Sequence, residues 1–98
     1  MPNNSSSKPQ TQQATVGTVP VRLDIPPIGP NPTRITLRIY NVDSSRTLYF
    51  GFSAALTATT GCPIGAGQYL DLDVSEQVSV WGVAISGTID VRVLEVYF

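Results

Sequence analysis

The residues of this chain that could carry chemistry are few, and none of its 98 residues is a histidine. Histidine is the commonest general base and the usual metal ligand at neutral pH, so a Ser/His/Asp or Cys/His catalytic arrangement cannot be built. The nearest approach to a reactive cluster is the acidic group Asp71, Asp73 and Glu76. Such carboxylates can collect a hard cation such as calcium. Asp71 and Asp73, however, fall on the solvent face of an alternating segment, where carboxylates are ordinarily solvated.

The lone cysteine and the glycine cluster offer no further catalytic group. Cys62 cannot form an internal disulfide, and its place before Pro63 is typical of a small, buried apolar side chain. Gly61, Gly65 and Gly67 are followed by neither a lysine nor a helical pattern, so they are turn glycines and not a phosphate-binding loop. The sequence therefore predicts no enzyme, no catalytic residue, no metal site and no cofactor.

Three tyrosines are the remaining candidates for ligand contacts. Tyr40, Tyr49 and Tyr69 each alternate with apolar neighbours, which predicts that their rings lie on the outside of strands. Exposed rings on a flat sheet can stack on sugar rings, whereas the same residues also stabilise sheets as cross-strand partners. A carbohydrate- or receptor-binding module that uses these tyrosines is thus one interpretation of the function.

The elements that must position these residues are strands. Apolar and polar side chains alternate with a period of two, and no segment shows helical periodicity. The alternating segments are separated by turn residues and lie at 19–25, 33–42, 47–54, 68–74, 78–85 and 89–98. Short strands joined by Gly- and Pro-rich turns predict an all-β fold. We expect a compact antiparallel β-sandwich or small barrel of about six to eight strands.

Two details of the alternation concern which side chains face the core. Within 78–85 the large apolar residues occupy even-numbered positions up to Val80 and odd-numbered positions from Trp81 onward. This change predicts a β-bulge at Gly82 that turns the later apolar side chains to the core. Within 19–25 the pattern predicts that Val19 faces inwards and Asp24 outwards.

Composition separates a tail from the domain. Residues 1–17 are rich in Asn, Ser, Gln and Thr and contain a single charge at Lys8, which predicts a flexible or partner-ordered N-terminal arm. Residues 18–98 are predicted to form a single β-sandwich domain. The net charge is -1 and the arginines are dispersed, so we expect no nucleic-acid partner. Since there is neither a long apolar run nor a basic leader, we also expect no membrane span and no signal peptide.

The last strand differs from the others because both of its faces become apolar. Leu94, Val96 and Phe98 alternate with Glu95 and Tyr97. A strand that is apolar on both faces is buried on both, either centrally in a sandwich or against another subunit. Strand ends at a C-terminus normally fray, so something must hold this one. We therefore predict that Leu94, Val96, Tyr97 and Phe98 form a subunit interface in a homo-oligomer.

A series of turn and strand motifs runs through the chain from Arg34 onward. They are Ile39-Tyr40-Asn41-Val42, Thr47-Leu48-Tyr49-Phe50-Gly51, Thr60-Gly61-Cys62-Pro63-Ile64, Ala66-Gly67-Gln68, Leu70-Asp71-Leu72 and Ala84-Ile85-Ser86-Gly87-Thr88-Ile89-Asp90-Val91-Arg92-Val93. This pattern resembles the small, β-rich virion structural proteins of tailed bacteriophages, of the capsid-decorating, cement or head-fibre-like kind.

The resemblance implies a non-enzymatic subunit that is made in the host bacterial cytoplasm and resides in the virion. Its partner would be the major capsid protein or another virion protein, which it decorates or stabilises through symmetric contacts as a trimer or dimer. An extended terminal arm that grips the shell is also implied, and residues 1–17 are the candidate for it.

Overall fold

The computed structural model of the chain describes residues 8–24, 34–75 and 77–97. All the regular elements in these ranges are strands, and none is a helix that could cross a membrane. They are β1 (Lys8–Val16), β2 (Val21–Arg22), β3 (Arg34–Asn41), β4 (Leu48–Gly51), β5 (Cys62–Ile64), β6 (Tyr69–Leu72), β7 (Trp81–Val83) and β8 (Ile89–Tyr97). The predicted all-β class is confirmed.

The strands form two antiparallel sheets. The first sheet has the order β1-β8-β3-β6 and the second has the order β2-β7-β4-β5. Successive strands pass from one sheet to the other, with the exception of β4 and β5, which are neighbours in the second sheet. This connectivity is that of an eight-stranded jelly roll, a two-sheet sandwich. The sandwich, rather than the barrel, is therefore the architecture of the described residues.

The core lies between the two sheets, because each strand turns one set of alternate side chains towards the opposite sheet. A single cluster of buried side chains joins both sheets. Its members from the first sheet include Ala14, Val16, Leu37, Ile39, Ile89, Val91 and Val93, and those from the second sheet and its loops include Leu23, Leu48, Phe50, Ile64, Val80 and Ala84.

Gly82 does not form the predicted bulge. It pairs with Val21 on one side and Phe50 on the other, with no shift of register among the pairs recorded for β7. A Cβ atom at this position would lie 2.9 Å from Cδ1 of Leu23 and 3.2 Å from Cδ1 of Leu48. Both leucines are fully buried. Gly82 therefore faces the core within a regular strand. The side chains of Leu23 and Leu48 occupy the space that a larger residue at this position would need.

The N-terminal residues differ most from the sequence prediction. Lys8–Val16, which falls inside the predicted arm of residues 1–17, forms β1 and pairs with β8 along its whole length. Ala14 and Val16 are buried in the core. This part of the chain is therefore a strand of the sandwich, while residues 1–7 lie outside the described residues.

The region around β2 also corrects two expected orientations. Val19 is 71% exposed, whereas Asp24 is only 2% exposed. Asp24 accepts hydrogen bonds from the Arg22 guanidinium at 2.8 Å and from the backbone N–H of Val80 at 2.8 Å. These bonds satisfy a carboxylate that burial would otherwise destabilise. Asp24 thereby joins β2 to the segment that enters β7.

Candidate functional site

The outer face of the first sheet, which points away from the second sheet, brings together most of the predicted site residues. Directly opposed residues of antiparallel strands share a face. One row across the sheet runs Tyr69, Tyr40, Arg92, Gln13, and the next row runs Asp71, Arg38, Leu94, Thr11. We refer to these eight residues as the outer-face patch.

Arg38 and Asp71 form the polar centre of one side of the patch. Nε and Nη2 of Arg38 donate to the two carboxylate oxygens of Asp71 at 2.7 and 3.0 Å, a two-pronged geometry that favours a defined orientation. The hydrogen bond from Arg38 holds the pKa of the Asp71 carboxyl below its ordinary value. The same guanidinium lies 4.1 Å from the ring centroid of Tyr69. Arg38 therefore covers one face of that ring and orients it.

A second ion pair lies across the patch on β8. Arg92 donates to the two carboxylate oxygens of Asp90 at 3.3 and 3.0 Å, and Gln13 Nε2 donates to Oδ1 of Asp90 at 2.9 Å. These bonds lower the pKa of Asp90, with the Arg92 bond the larger cause. Each arginine of the patch is thus paired with a carboxylate, and the charges of each pair cancel. The paired groups can still form hydrogen bonds with an uncharged partner.

The structure brings two of the three predicted surface aromatics together. Tyr40 and Tyr69 are directly opposed on β3 and β6, and their residues are 41% and 56% exposed. Tyr49 lies on β4 in the second sheet, where it opposes Pro63 and Val83 and is half-buried. Tyr49 therefore lies in a different sheet from Tyr40 and Tyr69, which share one face.

Next to this pair, the outer face forms an open depression of about 480 Å³ over β1, β8 and β3. Its lining includes Thr11, Gln13, Arg38, Tyr40, Arg92 and Leu94. The depression thus combines the aliphatic residues Val93 and Leu94 with aromatic and hydrogen-bonding groups. Such a surface can accept a small apolar projection of a partner.

The predicted C-terminal interface is only partly an outer surface. Leu94 and Val96 lie on the outer face and are half-buried, but Glu95 between them is fully buried on the inner side. The backbone of Tyr97 pairs with Lys8 on β1 and with Arg34 on β3, while its side chain and the whole of Phe98 lie outside the described residues. β8 is therefore a central strand, paired with β1 on one side and with β3 on the other.

The acidic group examined for calcium does not assemble. Asp71 is paired with Arg38, Asp73 is exposed, and Glu76 lies outside the described residues. Across the described ranges, no three His, Cys, Asp or Glu side chains come together in a way that could hold a metal ion. Cys62 is exposed on the edge strand β5, contrary to the predicted burial.

Sequence reasoning missed Arg38 and Arg92 as patch residues, and it missed Thr11 and Gln13 because it did not predict the strand that carries them. The alternation of a strand is present there: Thr11, Gln13 and Thr15 are exposed, and Ala14 and Val16 face the core. The alternation is hard to recognise from sequence because the other inward positions of β1 carry the polar residues Gln10 and Gln12.

No protein-family model matches this chain, and a comparison with curated proteins finds no match. The resemblance to virion proteins therefore depends on the turn and strand motifs alone.

Proposed function

We propose that the chain is a non-enzymatic virion structural protein that binds the major capsid protein or another virion protein and decorates or stabilises the particle as a symmetric homo-oligomer. The motif resemblance supports this proposal, and the outer-face patch is the observation that carries it. The patch is a surface of contiguous side chains that crosses all four strands of the first sheet, from β6 through β3 and β8 to β1.

The composition of the patch is that of a protein-binding surface. Tyrosine and arginine are enriched at the centres of protein interfaces and among the residues whose truncation costs most binding energy. The patch contains Tyr40, Tyr69, Arg38 and Arg92 around the aliphatic side chain of Leu94. Because the arginines are already oriented by carboxylates, fewer side-chain rotations are lost when a partner binds.

The mechanism is burial of this face against a virion component. Each large apolar side chain that becomes fully buried contributes roughly 1.5 to 3 kcal/mol before ordering costs are subtracted. Leu94 and Val96 start half-buried, so each contributes less than this. Several copies on one particle compensate through their high effective concentration.

The test is co-sedimentation of the purified protein with particles of the encoding phage that were assembled without it. We expect the Leu94→Lys/Val96→Lys variant to bind at least about tenfold more weakly, because two ammonium groups would be desolvated at the contact. The matched control is Val19→Lys/Ile85→Lys, which makes the same chemical change at residues 71% and 67% exposed, outside the patch. Failure of the wild-type protein to sediment with the particles, or equal weakening by both variants, would contradict the proposal.

The pairing of Tyr40 with Tyr69 favours a second candidate, a carbohydrate-binding module. The same preparation can be screened on a glycan array with Tyr40→Ala/Tyr69→Ala, and Tyr49→Ala serves as the control because it lies in the other sheet. Glycan binding that is lost in the first variant and retained in the second, without particle binding, would replace the virion proposal with this one.

A further inference from the structure

Within the part of the chain that the structure describes, the two sheets have four edge strands, and three of them are protected. β2 has two residues and includes Arg22, β5 has three residues and contains Pro63, and β6 has four residues and includes Asp71. Short length, charge and proline are the features that keep an exposed strand edge from pairing with another chain. These three edges therefore discourage association.

The fourth edge strand, β1, lacks this protection over most of its length. It has nine residues, and its pairing with β8 continues from Lys8 opposite Tyr97 to Val16 opposite Ile89 without a register shift. Lys8 and Pro9 stand at its beginning, but residues 10–16 contain neither a charge nor a proline. Backbone groups along an antiparallel strand point alternately to either side, so part of the N–H and C=O groups of β1 face away from β8.

The amides of Gln12 and Gln13 do not fold over this edge. Gln12 Nε2 donates to the backbone carbonyl of Leu23 at 3.3 Å, on the side of the second sheet. Gln13 Nε2 donates to Asp90 at 2.9 Å and to Oγ1 of Thr15 at 3.2 Å, across the outer face. Both amides are directed back onto their own domain, and no other described strand pairs with this edge.

We infer that β1 pairs antiparallel with β1 of a second copy about a two-fold axis, which joins the two first sheets into one continuous sheet. A two-fold contact places residues of one segment opposite residues of the same segment. Because residues 10–16 are uncharged, this self-pairing brings no like charges together. The second copy also supplies a strand of the same length that is unprotected in the same way.

The dimer places the outer-face patches of both copies on the same side of the joined sheet, because its two-fold axis is perpendicular to that sheet. Under the proposed function, on which this point alone depends, the dimer would be a bivalent ligand for a repeating surface. Pairing through β1 itself does not depend on what the patch binds.

The experiment measures mass and backbone protection in solution. We expect the wild-type protein to show twice the 10.5 kDa mass of one chain in sedimentation equilibrium. Thr11→Lys/Thr15→Lys should raise the dimer dissociation constant at least about tenfold, because lysines would approach one another across the two-fold axis. Ala54→Lys/Thr59→Lys adds the same charge at exposed loop positions and should leave the dissociation constant unchanged.

Hydrogen exchange of the wild-type protein provides a second measurement that needs no variant. Amide protection in residues 10–16 should rise with protein concentration as dimer forms, while the amides of β6, the opposite edge, should not change. A monomer at every concentration would overturn the inference, as would a dimer that tolerates the two lysines or leaves β1 exchange unaltered. A monomer that still binds particles would overturn this inference and the homo-oligomeric part of the proposed function, while binding to the particle itself would stand.

Discussion

Asn41 shows how one buried polar residue determines the shape of several loops. It is the last residue of β3 and is fully buried. Its Nδ2 donates to the carbonyls of Arg46 at 2.9 Å and Ile64 at 3.0 Å, and its Oδ1 accepts from the N–H of Asp43 at 3.0 Å. The side chain thus replaces backbone partners that the turn after β3 and the end of β5 would otherwise lack.

Replacement of Asn41 should therefore be costly. We expect Asn41→Ala to lower the free energy of unfolding by about 2 to 4 kcal/mol, because three hydrogen bonds are lost at a buried site. Urea denaturation followed by circular dichroism measures this change. Ser44→Ala, at an exposed position of the same turn, should change it by no more than about 0.5 kcal/mol. Equal effects of the two substitutions would show that the bonds of Asn41 contribute nothing.

At the scale of elements, β1 pairs with β8, the strand in which the sequence predicted a subunit interface. It covers the free edge of β8 and adds Ala14 and Val16 to the core. β8 is consequently paired on both sides, with β1 and with β3. This pairing covers the two edges of β8 and leaves Leu94 and Val96 half-buried on its outer face.

Truncated chains test whether residues 8–16 stabilise the fold as a strand or are a dispensable arm. Deletion of residues 1–16 should lower the free energy of unfolding by more than the roughly 1.5 to 3 kcal/mol that burial of Val16 alone contributes, since the pairing with β8 is lost as well. Deletion of residues 1–7, which stops before β1, is the control and should leave thermal unfolding nearly unchanged. Both are measured by circular dichroism. If the longer deletion unfolded at the wild-type temperature, β1 would be dispensable for the fold.

At the scale of the whole molecule, three carboxyls link stability to pH in the same direction. The pKa of Asp43 is lowered by backbone hydrogen bonds from Ser45 and Arg46, that of Asp71 by Arg38, and that of Asp90 by Arg92 and Gln13. A carboxyl whose pKa is lower in the folded state stabilises that state above its unfolded pKa. This contribution disappears as pH falls through the folded value.

We therefore expect these three carboxyls to make unfolding easier as the pH falls below their ordinary pKa of 3.8. The loss should be modest, because the side chains of Asp71 and Asp90 are 43% and 42% exposed, so solvent screens their ion pairs. Urea midpoints measured between pH 6 and pH 2 give the profile. Asp43→Asn/Asp71→Asn/Asp90→Asn should flatten its acid limb, and an acid limb as steep as that of the wild type would assign the pH dependence to other groups.

The sequence by itself predicted six of the eight strands of the described residues, all except β1 and β5, and the faces of most of those six. A period of two is a local property, so the alternation around Tyr40 and Tyr69 was enough to place both rings outside the core. Where inward positions were occupied by small or polar residues, as at Gly82 and Gln12, the same reasoning failed because the core-facing pattern was weak.

Only the tertiary structure decided which strands are neighbours. In a jelly roll the pairs β1–β8 and β2–β7 join distant parts of the chain, and alternation indicates a face without indicating a partner. This is why Tyr49 was grouped with Tyr40 and Tyr69, although it lies in the other sheet. It is also why the polar segment at residues 8–16 was predicted to be an arm: its stability as a strand comes from pairing with β8 and from the packing of Ala14 and Val16, which are interactions between residues at opposite ends of the chain.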